Sequence, residues 1–345
     1  MHTFSICHIS DLHFGTRPNQ FGIFDNLQNL FTASDWSFFA SHDSTKAEIF
    51  SQWLYRNQRQ LDAVLITGDL ATTGSQSDLK NAHAFVDNNA ANRWLGTNGN
   101  PTLRIAQDNQ ARAVPEIFLI PGNHDRYQDD RLRSPGCINF DNIFKQYWPA
   151  KWSAHRLALL TDPGNSRDRL MIIGADLSLQ NAKQATAILG RYGQGFAEQG
   201  TIDELVRLTC AAHSQLTAVA WAVHFPPNFQ GIKDNLRLVD EHMLVTAAQT
   251  AGVSHLFCGH THQTRIYRIS TQGTQVVHCA PSLCQVNKNN QNGFLLHRIT
   301  VSNGTICKVR SFAYSWDTKN SAFEVRQAFS ASRGKVRAKQ MKRHI

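Results

Sequence analysis

At 345 residues, 41% of them hydrophobic, the chain is long enough for one large domain or two ordinary ones and apolar enough for a sizeable core. No apolar run reaches the length of a bilayer span, and Met1–Cys7 lacks the basic and longer apolar stretches of a secretory leader, so the expectation is a soluble, cytoplasmic protein with no membrane partner. The formal net charge is +9, but Arg333, Lys335, Arg337, Lys339, Lys342 and Arg343 crowd into the last fifteen residues without an acid; setting those six aside leaves +3, too mild to mark the fold itself as a nucleic-acid binder. The seven cysteines are odd in number, scattered and without a Cys-x-x-Cys, which argues against a disulfide framework or a thiolate zinc site.

Residues 4–9 read as an apolar strand that ends in Ser10-Asp11-Leu12-His13, where both Asp11 and His13 can reach one cation. Residues 17–56 are too apolar for a solvated loop; Ser44 to Tyr55 has helical spacing with Ile49, Phe50, Trp53 and Leu54 on one face, and the stretch reads as an insertion packed near the first loop. Residues 61–67 form a second buried strand, ending in Gly68-Asp69, and a helix is expected from Ser77 to Asn88. Residues 89–114 carry no pattern and read as a second insertion. The third strand, Phe118-Leu119-Ile120, stops at Pro121-Gly122 and presents Asn123, His124 and Asp125, a neutral oxygen, an acid–base group and a carboxylate in succession.

Leu170 to Gly174 reads as a fourth strand, and Gln180 to Leu189 and Ile202 to His213 as helices. Residues 218–223 form a fifth strand ending in His224-Phe225-Pro226-Pro227; after a helix over Val239 to Ala251, a sixth strand, Val253 to Cys258, ends in Gly259-His260-Thr261-His262. Hairpins follow over Thr264–Ser270, Gln275–Cys279, Gly293–Val301 and Cys307–Tyr314, and the chain beyond Phe329 reads as disordered. Alternating strands and helices followed by antiparallel strands suggest an α/β chain, a four-layer α/β/β/α sandwich of two mixed sheets flanked by helices. One catalytic domain over 1–329, with insertions at about 17–56 and 89–114, and a basic tail over 330–345 is the simplest division.

Five strand ends thus carry Asp11, His13, Asp69, Asn123, His124, Asp125, His224, His260 and His262. Mixed Asp, Asn and His donors suit Mn²⁺, Fe²⁺, Ni²⁺ or Zn²⁺ rather than Ca²⁺, and seven ligands fit two ions that share a carboxylate. The order and residue types resemble the calcineurin-like metallophosphoesterases, across residues 6 to 262. The resemblance implies the metallo-dependent phosphatase fold and two divalent ions, Mn²⁺ first among them. It assigns Asp11, His13 and His262 to the first ion, Asn123, His224 and His260 to the second, and Asp69 to both. His124 would contact the phosphate and protonate the leaving oxygen, with Asp125 orienting it. The implied reaction is attack on a phosphodiester by a hydroxide that bridges the ions. Within the family, His224-Phe225-Pro226-Pro227, Gly259-His260-Thr261-His262-Gln263 and Ala280-Pro281-Ser282 look most like the bacterial class III cyclic-nucleotide phosphodiesterases, although that branch usually has a second His where Phe225 stands. The expected substrate is a small phosphoester such as a nucleotide. The alternatives are a nuclease, with the basic tail as a handle for nucleic acid, and a non-catalytic regulatory protein on the same scaffold. The other eleven histidines, His8, His155, His255 and His278 among them, read as ordinary core or surface residues.

Overall fold

The computed structural model describes residues 1–15, 42–87, 115–126, 138–149, 154–162, 164–178, 193–269, 275–285, 291–332 and 335–340. In chain order the first strands are β1 (His2–Ile9), β2 (Ala63–Thr67), β3 (Glu116–Ile120), β4 (Ala154–Asp162), β5 (Asn165–Ala175), β6 (Gly195–Phe196), β7 (Thr217–Val223) and β8 (Leu238–Val239). They are followed by β9 (His255–Cys258), β10 (Arg265–Arg268), β11 (Val276–Cys279), β12 (Gly293–Ser302), β13 (Thr305–Asp317), β14 (Ala322–Ser332) and β15 (Lys335–Gln340). The α-helices are α1 (Ser44–Asn57), α2 (Gln76–Val86), α3 (Ile138–Ile143), α4 (Gln199–His213) and α5 (Glu241–Thr250).

Seven strands form one sheet in the order β15-β14-β13-β12-β1-β2-β3, and six form another in the order β10-β11-β9-β7-β5-β4. Both are mixed: β1, β2 and β3 run parallel, as do β5, β7, β9 and β11, while the remaining neighbours are antiparallel. The parallel strands β2 (Ala-Val-Leu-Ile-Thr) and β7 (Thr-Ala-Val-Ala-Trp-Ala-Val) are buried throughout, as strands covered on both faces must be. The sheets meet face to face, β12 against β5 and β13 against β7. On the far side of the second sheet, α4 and α5 bury Ile202, Leu205, Leu208, Leu244 and Ala248. On the far side of the first, α1 is capped by Asp43, which accepts from the backbone N–H of Thr45 and Lys46, and it buries Phe50 against Phe294 and Phe323. This is the expected layer order. The part of the expected insertion at 42–56 is therefore core structure, with Trp53 packed on Phe294 and Tyr314; residues 16–41, all of 89–114 and the expected helix over Gln180 to Leu189 lie outside the described residues.

Two expectations are corrected and one strand is added. The described part of the tail, 330–332 and 335–340, is strand: β14 runs to Ser332 and β15 pairs with it antiparallel, because alternate residues Phe329, Ala331 and Val336 pack into a small apolar cluster with Leu295 and Ala313. Strand β4 had no clear signal, and it forms because it pairs with β5 from Ala154 to Asp162. Strand β11 makes a hairpin with β10 but runs parallel to β9, so the late strands are not all antiparallel.

A polar seam crosses the apolar space between the sheets. Thr67 Oγ1 meets His8 Nε2 at 2.9 Å, His8 Nδ1 meets His297 Nε2 at 3.1 Å, and His297 Nδ1 meets Ser311 Oγ at 2.8 Å. The seam then passes to the second sheet, from Ser311 Oγ to His278 Nδ1 at 3.4 Å and from His278 Nε2 to His255 Nδ1 at 3.0 Å. Each ring offers one donor and one acceptor when neutral, so every bond is satisfied without a charge. Burial pushes all four rings down, His8 to about 3 and His255 to about 4, which keeps them in that neutral form.

Candidate metal centre

Each of the nine predicted site residues follows the carboxyl end of a strand. β1, β2 and β3 of the first sheet deliver Asp11 and His13, Asp69, and Asn123 to Asp125; β7 and β9 of the second deliver His224, then His260 and His262. The loops after β1 and β2 are zipped together, with Asp11, His13 and Phe14 donating to the carbonyls of Gly68, Asp69 and Leu70. Asp11, His13, Asp69, His260 and His262 all sit in the left-handed region, with φ of 53°, 51°, 52°, 67° and 54°. That conformation costs roughly 1–2 kcal/mol for a residue with a Cβ, so the surrounding loops hold these side chains where they would not settle by themselves. Gly68, at φ +95°, has no such choice: a Cβ there would meet His224 Nδ1 at 2.6 Å.

The side chains converge in two overlapping groups. Donor atoms of Asp11, His13, Asp69 and His262 lie within 4.8 Å of one another, and so do those of Asp69, His224 and His260; Asp69 belongs to both. In the first group His13 Nε2 and His262 Nε2 are 3.3 Å apart, and His262 Nε2 is 3.1 Å from Asp11 Oδ1. In the second, His224 Nε2 is 3.1 Å from Asp69 Oδ2 and 3.2 Å from Asn123 Oδ1. Two nitrogens bound to one ion at about 2.0–2.1 Å lie about 2.9–3.4 Å apart, so these spacings suit a shared cation. Among the described residues, Asp11 Oδ1 and His13 Nδ1 are buried without a hydrogen bond; His262 approaches the first of them closely but without a hydrogen bond's alignment. An orphaned carboxylate oxygen at the centre of a histidine cluster is a position that a cation satisfies.

The rings are aimed by their second nitrogens. His224 Nδ1 donates to the Thr67 carbonyl at 2.6 Å and His260 Nε2 to the Leu236 carbonyl at 2.8 Å, so the other nitrogen of each faces the group. Asp11 Oδ2 accepts from the His260 backbone N–H at 3.0 Å, a bond that joins the two sheets at the site. Electrostatics divides the rings. Burial, then His124, holds His13 well below the usual imidazole range, and burial, then His224, takes His260 down to about 3. For His224 burial acts in the same direction, but the adjacent Asp69 and Asp11 outweigh it and hold the ring up to about 9. Burial would likewise raise Asp11, yet His262 and His224 hold it down to about 2.

His124 stands beside the first group, its ring 4.9 Å from that of His13 and edge-on to it. The resemblance gave Asp125 the task of orienting His124, and backbone groups take part in that orientation. His124 Nδ1 donates to the Thr72 carbonyl at 2.7 Å, and its backbone N–H donates to Asp69 Oδ1 at 2.9 Å. Asp125 accepts three backbone N–H groups, from Gly122 and Leu70 on one oxygen and Ala71 on the other, and so ties the β2 and β3 loops to each other.

The calcineurin-like phosphoesterase family model matches residues 4–264, which contain all nine of these residues. The chain belongs to the calcineurin-like phosphoesterase family. No curated protein matches it. A dimetal phosphatase from Danio rerio is similar in structure at 9% identity and TM-score 0.56, over 96% of this chain and 99% of that one. A 5′-nucleotidase from Candida albicans is similar at 12% identity and TM-score 0.39, over 87% of this chain and 48% of that one. At 9% identity the likeness to the dimetal phosphatase concerns the fold alone. The calcineurin-like family uses two metal ions, and the donor set of this member fits them. Sequence reasoning missed the residues that aim the site's rings: Thr67, Thr72 and Leu236 act through backbone carbonyls, which carry no side-chain signature. Ser282, whose hydroxyl donates to the Asp11 carbonyl at 2.7 Å, did lie in a noted stretch, Ala280-Pro281-Ser282. Among the described residues no helix is long and apolar enough to cross a membrane.

Proposed function

We propose that the protein is a dinuclear metal-dependent phosphodiesterase, close to the bacterial class III cyclic-nucleotide branch, with Mn²⁺ as its first candidate metal. The observation that carries the reading is the sharing of Asp69 by two histidine-rich groups with His124 alongside. Asp11, His13 and His262 would hold one ion, Asn123, His224 and His260 the other, and Asp69 both. When bound, two divalent cations acidify water and screen the phosphoryl oxygens.

The chain's own residues supply the rest. Because His124 donates its Nδ1–H to the Thr72 carbonyl, Nε2 is the nitrogen that would deliver a proton to the departing oxygen, and it carries that proton when both ring nitrogens are protonated. His13 and His260, held neutral by burial, keep lone pairs ready at neutral pH, whereas His224 must give up a proton on loading. Gly122 lets the β3 turn lie against Asp69, since a Cβ at that position would collide with the Asp69 carboxylate.

The test is turnover of bis-p-nitrophenyl phosphate and p-nitrophenyl phosphate by the Mn²⁺-loaded chain. Faster cleavage of the diester supports the reading. Preference for the monoester would make the enzyme a phosphatase, and no turnover of either with Mn²⁺, Fe²⁺, Zn²⁺ or Ni²⁺ would favour a regulatory scaffold.

A further inference from the structure

The outer face of the first sheet, opposite the second sheet, carries an unpaired basic surface. Register places Arg337 of β15 beside Ser330 of β14, Ser330 beside Arg310 of β13, Arg310 beside Arg298 of β12, and Arg298 beside Ser5 of β1. Lys339 and Lys308, two residues along their strands, share that face. Arg298, Arg310, Arg337 and Lys339 are exposed and Lys308 is half-buried, whereas the inward residues between them, Ser311, Phe329 and Ala331, are buried. None of the five cations is in an ion pair among the described residues. The nearest acid along the row is Asp62, two strands from Arg298, and its carboxylate already accepts the Ser5 N–H at 2.7 Å.

Arg298 and Arg310 are direct cross-strand partners. Like charges directly opposite each other destabilise a sheet, and among the described residues neither arginine has an acid as ion-pair partner. Cations on β15 can be explained as a device against edge-to-edge pairing, but β12 and β13 are interior strands with no edge to protect. The face also offers hydroxyls from Thr300 and Ser330, and it offers Phe312, half-buried, with the Arg298 guanidinium 5.7 Å from its ring centre. Phosphates, stacked bases and sugar hydroxyls are the groups these side chains match.

We infer that this face binds single-stranded nucleic acid at a site distinct from the metal centre. A single strand can lie flat across β12 to β15 and meet all five cations, while a duplex touches a flat face only along a line. By strand rise the row lies about 20 Å from Asp11, six residues along from Ser5. The site would therefore hold a polymer whose phosphodiesters are presented to the metal centre elsewhere. This rests on the phosphodiesterase reading for its substrate, not for its binding.

The experiment measures binding of the full, metal-loaded chain to a fluorescent phosphorothioate oligothymidylate of about 20 nucleotides, by anisotropy across a salt series. Five neutralised phosphates predict a slope of log K on log salt near −3.5, at about −0.7 for each. Arg298→Ala/Arg310→Ala should weaken binding about tenfold or more and flatten the slope by about 1.4, while Arg298→Lys/Arg310→Lys keeps it. The alanine pair should melt no lower than wild type, since it removes a repulsion; if it does not fold, Arg337→Ala, with an expected flattening of about 0.7, decides instead. Wild-type binding by the alanine pair, equal affinity for duplex, or binding to phosphatidylserine vesicles but not to the oligonucleotide overturns the inference. Hydrolysis of bis-p-nitrophenyl phosphate should be unchanged in all these variants. Its absence in wild type would sink the phosphodiesterase reading and leave the binding result standing.

Discussion

His124 is held by a backbone carbonyl, and that changes what substitutions near it should do. His124→Ala removes no donor from either histidine-rich group, so metal content should stay near normal while the rate falls roughly 10²–10⁴-fold, the range for a general acid. The loss should shrink with p-nitrophenolate, a leaving group that needs little protonation; equal losses on good and poor leaving groups would remove the acid role. Asp69→Asn should behave differently, losing metal and activity together on every substrate, since Asp69 sits in both groups. Asp125→Asn should act on stability. It sets an amide where the carboxylate receives N–H groups from Gly122, Leu70 and Ala71, so an N–H donor would face an N–H donor. Leaving one such group unsatisfied costs about 1–3 kcal/mol, so the variant should melt several degrees lower; an unchanged melting temperature would contradict this account.

At the scale of elements, the histidine seam and the last strand make separate demands. His8, His255, His278 and His297 are neutral in the fold because burial lowers them, whereas in the unfolded chain each takes up a proton near pH 6.5. The unfolded state therefore binds more protons below pH 6.5. The stability they contribute is complete above that value and is lost as pH falls toward 3–4, where His8 and His255 titrate in the fold. Each ring adds up to about 1.4 kcal/mol per pH unit, so four together give a steep acid sensitivity. Urea midpoints of chelator-treated protein at several pH values measure it. His278→Gln, which can still donate and accept, should reduce the slope by about one proton. Strand β15 makes the opposite case to a loose tail: deleting residues 333–345 uncovers Phe329 and Ala331 and bares the edge of β14. Melting temperature should fall and self-association rise in gel filtration, where removal of a disordered tail would change neither.

For the molecule as a whole, the decisive fact is that its candidate centre belongs to neither sheet alone. Asp11, His13, Asp69 and Asn123 come from one sheet and His224, His260 and His262 from the other, so cation binding should clamp the sheets together. Saturating Mn²⁺ should raise the melting temperature, chelation should reverse the gain, and Asp69→Asn should abolish it. Loading should also release protons. The metal-free protein holds His224 up to about 9, so at pH 7–8 that ring must lose a proton before it can bind a cation, and apparent affinity should climb with pH until about 9. Calorimetry in buffers of different ionisation enthalpy reads the proton count directly.

How much of this was legible beforehand follows from where each property resides. The five strand-end blocks were readable because an apolar run that stops at a turn and then presents Asp, Asn or His is a local pattern, and a family motif can be matched one residue at a time. The layer order followed from the alternation of strands and helices. What the sequence could not contain was anything created by neighbours distant along the chain. Thr72 holds His124 through a carbonyl that every residue possesses; β4 and β15 exist because β5 and β14 offer them partners. The four histidines of the seam were read one by one as ordinary core, and each is indeed buried, but only strand pairing and the packing of two sheets set their nitrogens 2.8–3.4 Å from the next polar atom. In the same way the basic residues at 298, 308 and 310 were hidden in the net charge, since it is register across four strands, not position along the chain, that puts them on one face. Local sequence determined which chemical groups were available and at which strand ends; tertiary pairing decided which of them meet, because hydrogen bonds and charges act over a few ångströms of space and are indifferent to the number of residues between them.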